Sequence, residues 1–170
     1  PRRGYTDGPF GQIHYQDTGG EGFPLVLCHQ APMTSRQYDT VYPLLSAEGI
    51  RAIGIDTPGF GLSDEPNHVP SVEDYATAIP PVLDHLGITQ TDILGHHTGG
   101  LIATEVALQF PDRVRNLVIN GPCPFTPEEL VEWNAFVENF EKNFEHKHDG
   151  SHLSEVFSRR WNWAEKGTDP

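Results

Sequence analysis

Short apolar runs alternate with amphipathic segments over the first 120 residues of the chain. Polar and apolar positions alternate in the first run, as in a half-exposed strand, whereas the second is continuously apolar, as in a strand buried on both faces. We predict strands over residues 11–18, 24–29, 50–56, 91–95 and 114–120. We predict helices over residues 35–47, 71–86 and 98–110. Strands that alternate with helices favour an α/β fold with a mostly parallel sheet and helices on both faces.

The helix predicted at 71–86 contains a signal for a break. Ser71 followed by Asp74 is typical of a capping box, and Gly87 suits the end of the helix. Pro80 and Pro81 lie inside this segment, where a proline costs about 3 kcal/mol because it removes a hydrogen bond and clashes with the preceding turn. We therefore expect a kink or a restart of the helix.

After residue 125 the pattern contains helices and no further strand. Thr126, Pro127 and Glu129 are typical of a helix start, with an N-cap, a proline at the first helical position and an acid at the third. The long helix that follows, and a second predicted over 151–163, carry many aromatic residues. We interpret these residues as packing residues rather than as a cofactor site, and the two helices as a lid.

Acidic residues outnumber basic residues 24 to 11, which gives the chain a formal net charge of −13. No dense basic patch offsets this charge, so nucleic-acid binding is disfavoured. No apolar run approaches the roughly 18 residues that a membrane span needs, so we expect no membrane association. Cys28 and Cys123 are too few for a disulfide framework or a structural zinc site, and we expect a reducing, cytoplasmic location.

Polar residues stand at the ends of four of the predicted strands. They are His29, Asp56, His97 and Asn120. Parallel sheets bind ligands beyond the carboxyl ends of their strands. The sequence therefore predicts that these side chains converge on one rim, and that a functional site lies there.

Several motifs on this rim resemble those of the α/β-hydrolase superfamily, and they occur in the same order. LVLCHQAP (25–32) is similar to the strand and His-Gly-x-Pro turn of the epoxide-hydrolase and haloalkane-dehalogenase branch. IDTPGFGLSDEP (55–66) is similar to the Asp-x-Pro-Gly-x-Gly-x-Ser loop of that branch. ILGHHTGG (93–100) occupies the place of its nucleophile elbow, and FPDRVRNLVINGP (110–122) resembles the helix end and strand that follow.

The resemblance implies an incomplete α/β-hydrolase core over residues 1–125 and the start of a helical cap over 126–170. In the superfamily the catalytic acid and histidine come from loops beyond the cap, whereas this sequence ends at Pro170. We therefore expect a remaining C-terminal portion of the same fold as a partner, or alternatively a homo-oligomer. A sheet that stops here is expected to expose an edge strand and an apolar lid surface.

His97 stands where the superfamily has a serine, aspartate or cysteine nucleophile. Imidazole is larger than these groups, and a misplacement of about 1 Å can cost about a hundredfold in rate, so ordinary serine-type acyl transfer is not expected. With an ordinary pKa near 6.5, a histidine can activate water as a general base, or attack the substrate itself. The alternative is that the ring of His97 fills a disused site.

Gln30 is a second departure, since the oxyanion loop of the superfamily has a glycine there. The backbone N–H groups of Ala31 and Thr98 are still expected to form an oxyanion hole. The Gln30 side chain would donate to a substrate oxygen or hydrogen-bond His97. Both departures fall on one rim, which indicates a single altered site.

Four further residues receive supporting roles in this hypothesis. His29 orients the oxyanion loop, His96 is structural, and Asp56 braces the loop that follows it. Cys123 is interpreted as a buried thiol, with a Cys123–His97 pair as the alternative. No metal and no cofactor are expected, because adjacent histidines on a turn point apart and no carboxylate completes a ligand set.

The leading hypothesis is a hydrolase that acts on a small, neutral or weakly polar organic substrate. The sequence does not distinguish hydrolysis of an ester, an epoxide or a carbon–carbon bond. A binding protein that kept the pocket and lost the nucleophile is the rival hypothesis. A lyase on the same scaffold is a third.

Overall fold

The apolar runs form a six-stranded sheet in the computed structural model, which describes residues 1–122 and 124–163. The strands are β1 (Arg2–Gly8), β2 (Gly11–Asp17), β3 (Pro24–Cys28), β4 (Arg51–Ile55), β5 (Thr91–His96) and β6 (Val114–Asn120). Their order across the sheet is β1-β2-β4-β3-β5-β6. Strands β4, β3, β5 and β6 are parallel, whereas β1 and β2 pair antiparallel. The predicted α/β fold with a mostly parallel sheet is confirmed.

Strand β1 was not predicted from the hydrophobic pattern. Tyr5 is its one large apolar residue, and exposed positions predominate along it. The strand pairs with β2 over its whole length, from Arg2 opposite Asp17 to Gly8 opposite Gly11. Hydrogen bonds to a neighbouring strand, rather than an apolar face of its own, therefore hold β1 in the sheet.

Two of the predicted helices are interrupted. The segment 35–47 forms a 3₁₀ turn (Ser35–Tyr38) and then α1 (Tyr42–Ala47), with Pro43 in the first turn of α1. The segment 71–86 forms α2 (Val72–Ala76) and α3 (Ile79–His85), which confirms the expected restart. Prolines fit the first turn of a helix, where no intrahelical donor is needed, but not its interior. The predicted capping box of α2 is also present.

Helices cover both faces of the sheet, as predicted. On one face the inward residues of the strands pack against α2, α3 and α4 (Thr98–Gln109), through residues such as Val82, Ile102 and Val106. On the other face Leu27 and Ala52 pack against Tyr38 and Tyr42. Successive strand residues point to opposite faces, so one strand supplies both cores.

Strand β6 forms the edge of the described sheet. Its residues Leu117, Val118 and Ile119 are 37%, 48% and 44% exposed. These apolar residues continue the pattern of a strand that is covered on both faces, but here they remain open to solvent. The exposed edge strand matches the expectation from the sequence.

The chain divides into two compact units, residues 1–124 and 125–170. Within the second unit the structure describes α5 (Pro127–Asn143) and α6 (Ser151–Trp163). The predicted start of α5 is confirmed: Thr126 N–H donates to Glu129 Oε2 at 2.8 Å, and Glu129 N–H donates to Thr126 Oγ1 at 3.2 Å. Over the described residues, no helix has the length and apolar character needed to cross a bilayer.

Candidate functional site

The turn between β5 and α4 holds His97 in an unusual backbone conformation. His97 is the N-cap of α4, with φ 54° and ψ −119°, and among the described residues it alone combines a side chain with a positive φ. Positive φ is uncommon for residues other than glycine, although histidine is one of the side chains enriched there. Its N–H donates to the carbonyl of Asn120 at 2.9 Å, and its carbonyl accepts from Gly100 N–H at 2.9 Å. The turn is therefore tied to β6 on one side and to α4 on the other.

Two glycines make this tight turn possible. A Cβ atom on Gly95 would lie 2.1 Å from the carbonyl oxygen of Gly99, and a Cβ atom on Gly99 would lie 2.1 Å from the carbonyl oxygen of Cys28. These contacts are with backbone atoms, which cannot rotate away. The Gly-x-His-x-Gly spacing thus allows α4 to begin directly against the ends of β3 and β5.

The loop after β3 meets the start of α4 through an unexpected hydrogen bond. The N–H of Ala31 donates to Oγ1 of Thr98 at 2.7 Å. One of the two amides expected to serve as an oxyanion donor is therefore occupied by a hydroxyl group of the protein itself. The sequence did not indicate this contact, because it joins a loop and a helix start that lie 67 residues apart.

The backbone of Gln30 is held in place at both ends. Its N–H donates to Gln37 Oε1 at 3.2 Å, and its carbonyl accepts from Met33 N–H at 2.8 Å. These contacts position the loop, so that Ala31 lies beside Thr98. The proposed hydrogen bond from the Gln30 side chain to His97 or to a substrate stays a prediction.

His29 is buried and links two strand ends. Its Nε2 accepts from Thr57 N–H at 3.0 Å, so its Nδ1 carries the proton and donates to the carbonyl of Gln30 at 2.9 Å. Burial lowers the pKa of His29, and the bond to Gln30 opposes this effect only in part. The ring is therefore neutral, and it joins the loops that follow β3 and β4.

Asp56 lies at the end of β4 with its carboxylate fully engaged. It accepts from Ser35 N–H at 2.7 Å, from Leu62 N–H at 3.0 Å and from His14 Nδ1 at 2.9 Å. Burial by itself raises the pKa of Asp56, but the hydrogen bonds from Ser35, Leu62 and His14 outweigh it and hold the pKa below its usual value. This geometry suits a brace for the surrounding loops rather than an acid catalyst.

A small apolar cavity of about 160 Å³ opens beside these loops. Three of the sequence-predicted site residues line it: His29, Ala31 and Thr98. Its six other lining residues were not predicted as site residues: Thr57, Phe60, Val72, Tyr75, Leu101 and Ile102. The helical spacing was a usable signal for Leu101, since residues three apart on a helix share one face. Phe60 and Tyr75 reach the cavity only through tertiary packing.

The remaining predicted residues are distributed as follows. His96 is the last residue of β5, half-buried, with its ring 6.4 Å from that of His97. Cys123 lies outside the described residues. Cys28 is buried, which raises the pKa of its thiol to about 12, so it is not a nucleophile at neutral pH. Within the described parts of the chain, no three metal-binding side chains come together.

Comparison with known proteins places these features in a family context. The family model of the alpha/beta hydrolase fold matches residues 24–169. Haloalkane dehalogenase 2 of Mycobacterium bovis is 35% identical over 133 residues, which cover 78% of this chain and 46% of that protein. Bifunctional epoxide hydrolase 2 of Mus musculus is 34% identical over 123 residues, covering 69% of this chain and 21% of that protein.

Solved structures give the same result. A thermophilic esterase from Thermogutta terrifontis matches with a TM-score of 0.71 and 25% identity, covering 84% of this chain and 54% of that one. The chain spans less than half the length of both curated relatives.

Proposed function

Because the chain belongs to the α/β-hydrolase fold family, we propose that it hydrolyses a small, neutral organic substrate, with His97 as the general base that activates water. The observation that carries this proposal is the backbone of His97 at the β5–α4 turn. The turn presents the residue with φ 54° at the carboxyl end of a parallel strand, where ligands of such sheets bind. Imidazole is the side chain that most often serves as a general base in enzymes.

The lining of the adjacent cavity supports a neutral substrate. The residues that line it are largely apolar, and none of them is an acid, a lysine or an arginine. His29, its one titratable group near neutral pH, is held in the neutral form. A charged substrate would lose its hydration there without gaining an ionic partner. The volume of about 160 Å³ fits a group of about the size of benzene.

In this proposal the protein supplies a base and hydrogen-bond donors. His97 takes a proton from water as the water oxygen attacks the substrate, and it returns that proton to the leaving group as the scissile bond breaks. The N–H of Thr98, in the first turn of α4, has no acceptor within the helix and is suited to stabilise a developing oxyanion. The N–H of Ala31 joins it once the Thr98 hydroxyl turns away. Gln30 is proposed to orient the substrate.

A panel of short-chain aryl esters, epoxides and haloalkanes tests this function. The wild type, His97→Ala and the control His68→Ala are compared, because His68 is an exposed histidine away from the apolar cavity. The proposal is supported if the wild type and His68→Ala both turn over one substrate class and His97→Ala does not. Turnover that survives in His97→Ala contradicts it.

A ligand-binding protein is the second candidate, and one observation favours it. The hydrogen bond from Ala31 to the Thr98 hydroxyl fills the place where a catalytic site offers a free donor. If the site only binds ligands, small neutral aromatic compounds raise the melting temperature of wild type and His97→Ala alike, with no turnover in either.

We further propose that a remaining C-terminal portion of the fold, or a second copy of the chain, covers β6. The exposed apolar residues of β6 and the partial coverage of the relatives support this proposal. Intact mass and size-exclusion chromatography test it. A stable monomer of 18.9 kDa would contradict it. The proposed cytoplasmic location rests on the cysteine content, since two cysteines are too few for a disulfide framework.

A further inference from the structure

A second cavity lies near the carboxyl ends of β3 and β4, and its lining differs from that of the apolar cavity. It has a volume of about 430 Å³ and is lined by polar residues of β1, β2 and the loops after β3 and β4. The two cavities share no lining residue. The polar cavity is therefore separate from the apolar cavity described above.

The floor of this polar cavity is buried. His14, Gln16 and Asp56 are exposed by only 2%, 6% and 2%. Gln16 Nε2 donates to Ser35 Oγ at 3.0 Å, and the Asp56 carboxylate accepts three hydrogen bonds, one of them from His14 Nδ1. These groups are satisfied by the protein itself.

His14 Nε2 is the exception on this floor. The atom is buried and has no hydrogen-bond partner among the described residues. The Tyr5 ring packs against the imidazole, with centroids 5.2 Å apart, and shields it on the side of β1. Buried polar atoms are normally hydrogen-bonded, so this atom can accept a further partner, such as a water molecule or a bound ligand.

The rim of the polar cavity carries two arginines. Arg36 pairs with Asp39 at 3.3 Å, but both side chains are largely exposed, and such pairs are weak and easily exchanged. Arg3 takes part in no ion pair among the residues that the structure describes. Guanidinium groups bind carboxylate and phosphate oxygens through paired, charge-assisted hydrogen bonds.

We propose that this polar cavity binds a small oxyanion, a carboxylate or a phosphate group, through Arg3, Arg36 and the Nε2 of His14. With Asp56 on Nδ1, a protonated imidazole presents its second N–H at Nε2, which is the form that an anion favours. The charged and titratable groups around it are Asp56, Tyr5, Arg3, Arg36 and Asp39.

Titration of the protein with sodium acetate and, separately, with potassium phosphate tests this site, with NMR shifts of the His14 ring as the readout. We expect saturable binding of at least one anion, weakened about tenfold or more in Arg3→Ala and in Arg36→Ala. Arg2→Ala is the matched control, since Arg2 is the neighbour of Arg3 on β1 and does not line the cavity. Tighter acetate binding assigns a carboxylate ligand, and tighter phosphate binding assigns a phosphate.

Isothermal titration calorimetry of the same variants and of His14→Ala supplies an independent readout. We expect His14→Ala to weaken anion binding, as the two arginine substitutions do. The site is refuted if neither anion saturates, or if Arg2→Ala weakens binding as much as Arg3→Ala. Binding that His14→Ala leaves unchanged would exclude His14 from the site. None of these results depends on the hydrolase activity.

Discussion

Gly99→Ala is expected to destabilise the protein by forcing α4 away from β3. The new Cβ would lie 2.1 Å from the carbonyl oxygen of Cys28, whereas ordinary contact begins at 3.4 Å, so the backbones must separate by more than 1 Å. Overpacking of this kind costs about 1–3 kcal/mol and sometimes more. Alanine recovers about 1 kcal/mol of helix propensity over glycine. Because the clash is with a backbone atom, the upper end of the overpacking range applies. The expected net loss in the free energy of unfolding is then about 2 kcal/mol, or about 4–8 °C in melting temperature.

Gly100→Ala is the matched control for this substitution. It makes the same chemical change on the next residue of α4, but its Cβ would meet the Ile119 methyl group at 3.1 Å, and a side chain can move aside. We expect its stability to stay within about 1 kcal/mol of the wild type. Urea unfolding followed by circular dichroism measures both variants. If Gly99→Ala were as stable as Gly100→Ala, the close approach of α4 to β3 would not be the reason for a glycine here.

Three further predictions concern the loops around the site. The pKa of His29 is lowered in the folded protein, so the unfolded chain binds more protons than the folded one below about pH 6.5. The free energy of unfolding should therefore fall as the pH drops from there. In urea titrations, His29→Gln should reduce this dependence on pH. Thr98→Val should cost about 1 kcal/mol because it leaves Ala31 N–H without its acceptor, whereas Thr98→Ser should be near neutral; equal melting temperatures for both would count against this bond. Asp56→Asn should lower the free energy of unfolding by about 2 kcal/mol or more, since one of its three donors loses an acceptor, and a variant that unfolds at the same urea concentration as the wild type would contradict the bracing role.

The strands β2 to β6 were predictable because each carries its own apolar pattern. Strand β1 was not predictable in this way, because it is held by pairing with β2 and has only one large apolar residue, Tyr5. Pro80 and Pro81 predicted the break between α2 and α3, because a proline affects the helix locally.

The same distinction holds at the candidate site. The predicted strand ends were enough to bring His29, Asp56 and His97 to one side of the sheet, because the carboxyl ends of parallel strands lie together. The contact between Ala31 and Thr98 depends on how closely the loop after β3 approaches the start of α4, which no local sequence pattern predicts. The pairing of His14 with Asp56 likewise follows from the antiparallel register of β2 and β4, which places Tyr15 opposite Ile55.

The central claim is that the imidazole of His97 accepts a proton during hydrolysis. The most direct test is kcat/KM for the substrate class that the panel identifies, compared between wild type, His97→Gln and the control His68→Gln. Glutamine keeps much of the size and the hydrogen bonding of histidine but cannot act as a base. We predict a loss of about 100-fold or more in His97→Gln alone, while a value within about threefold of the wild type would contradict the claim.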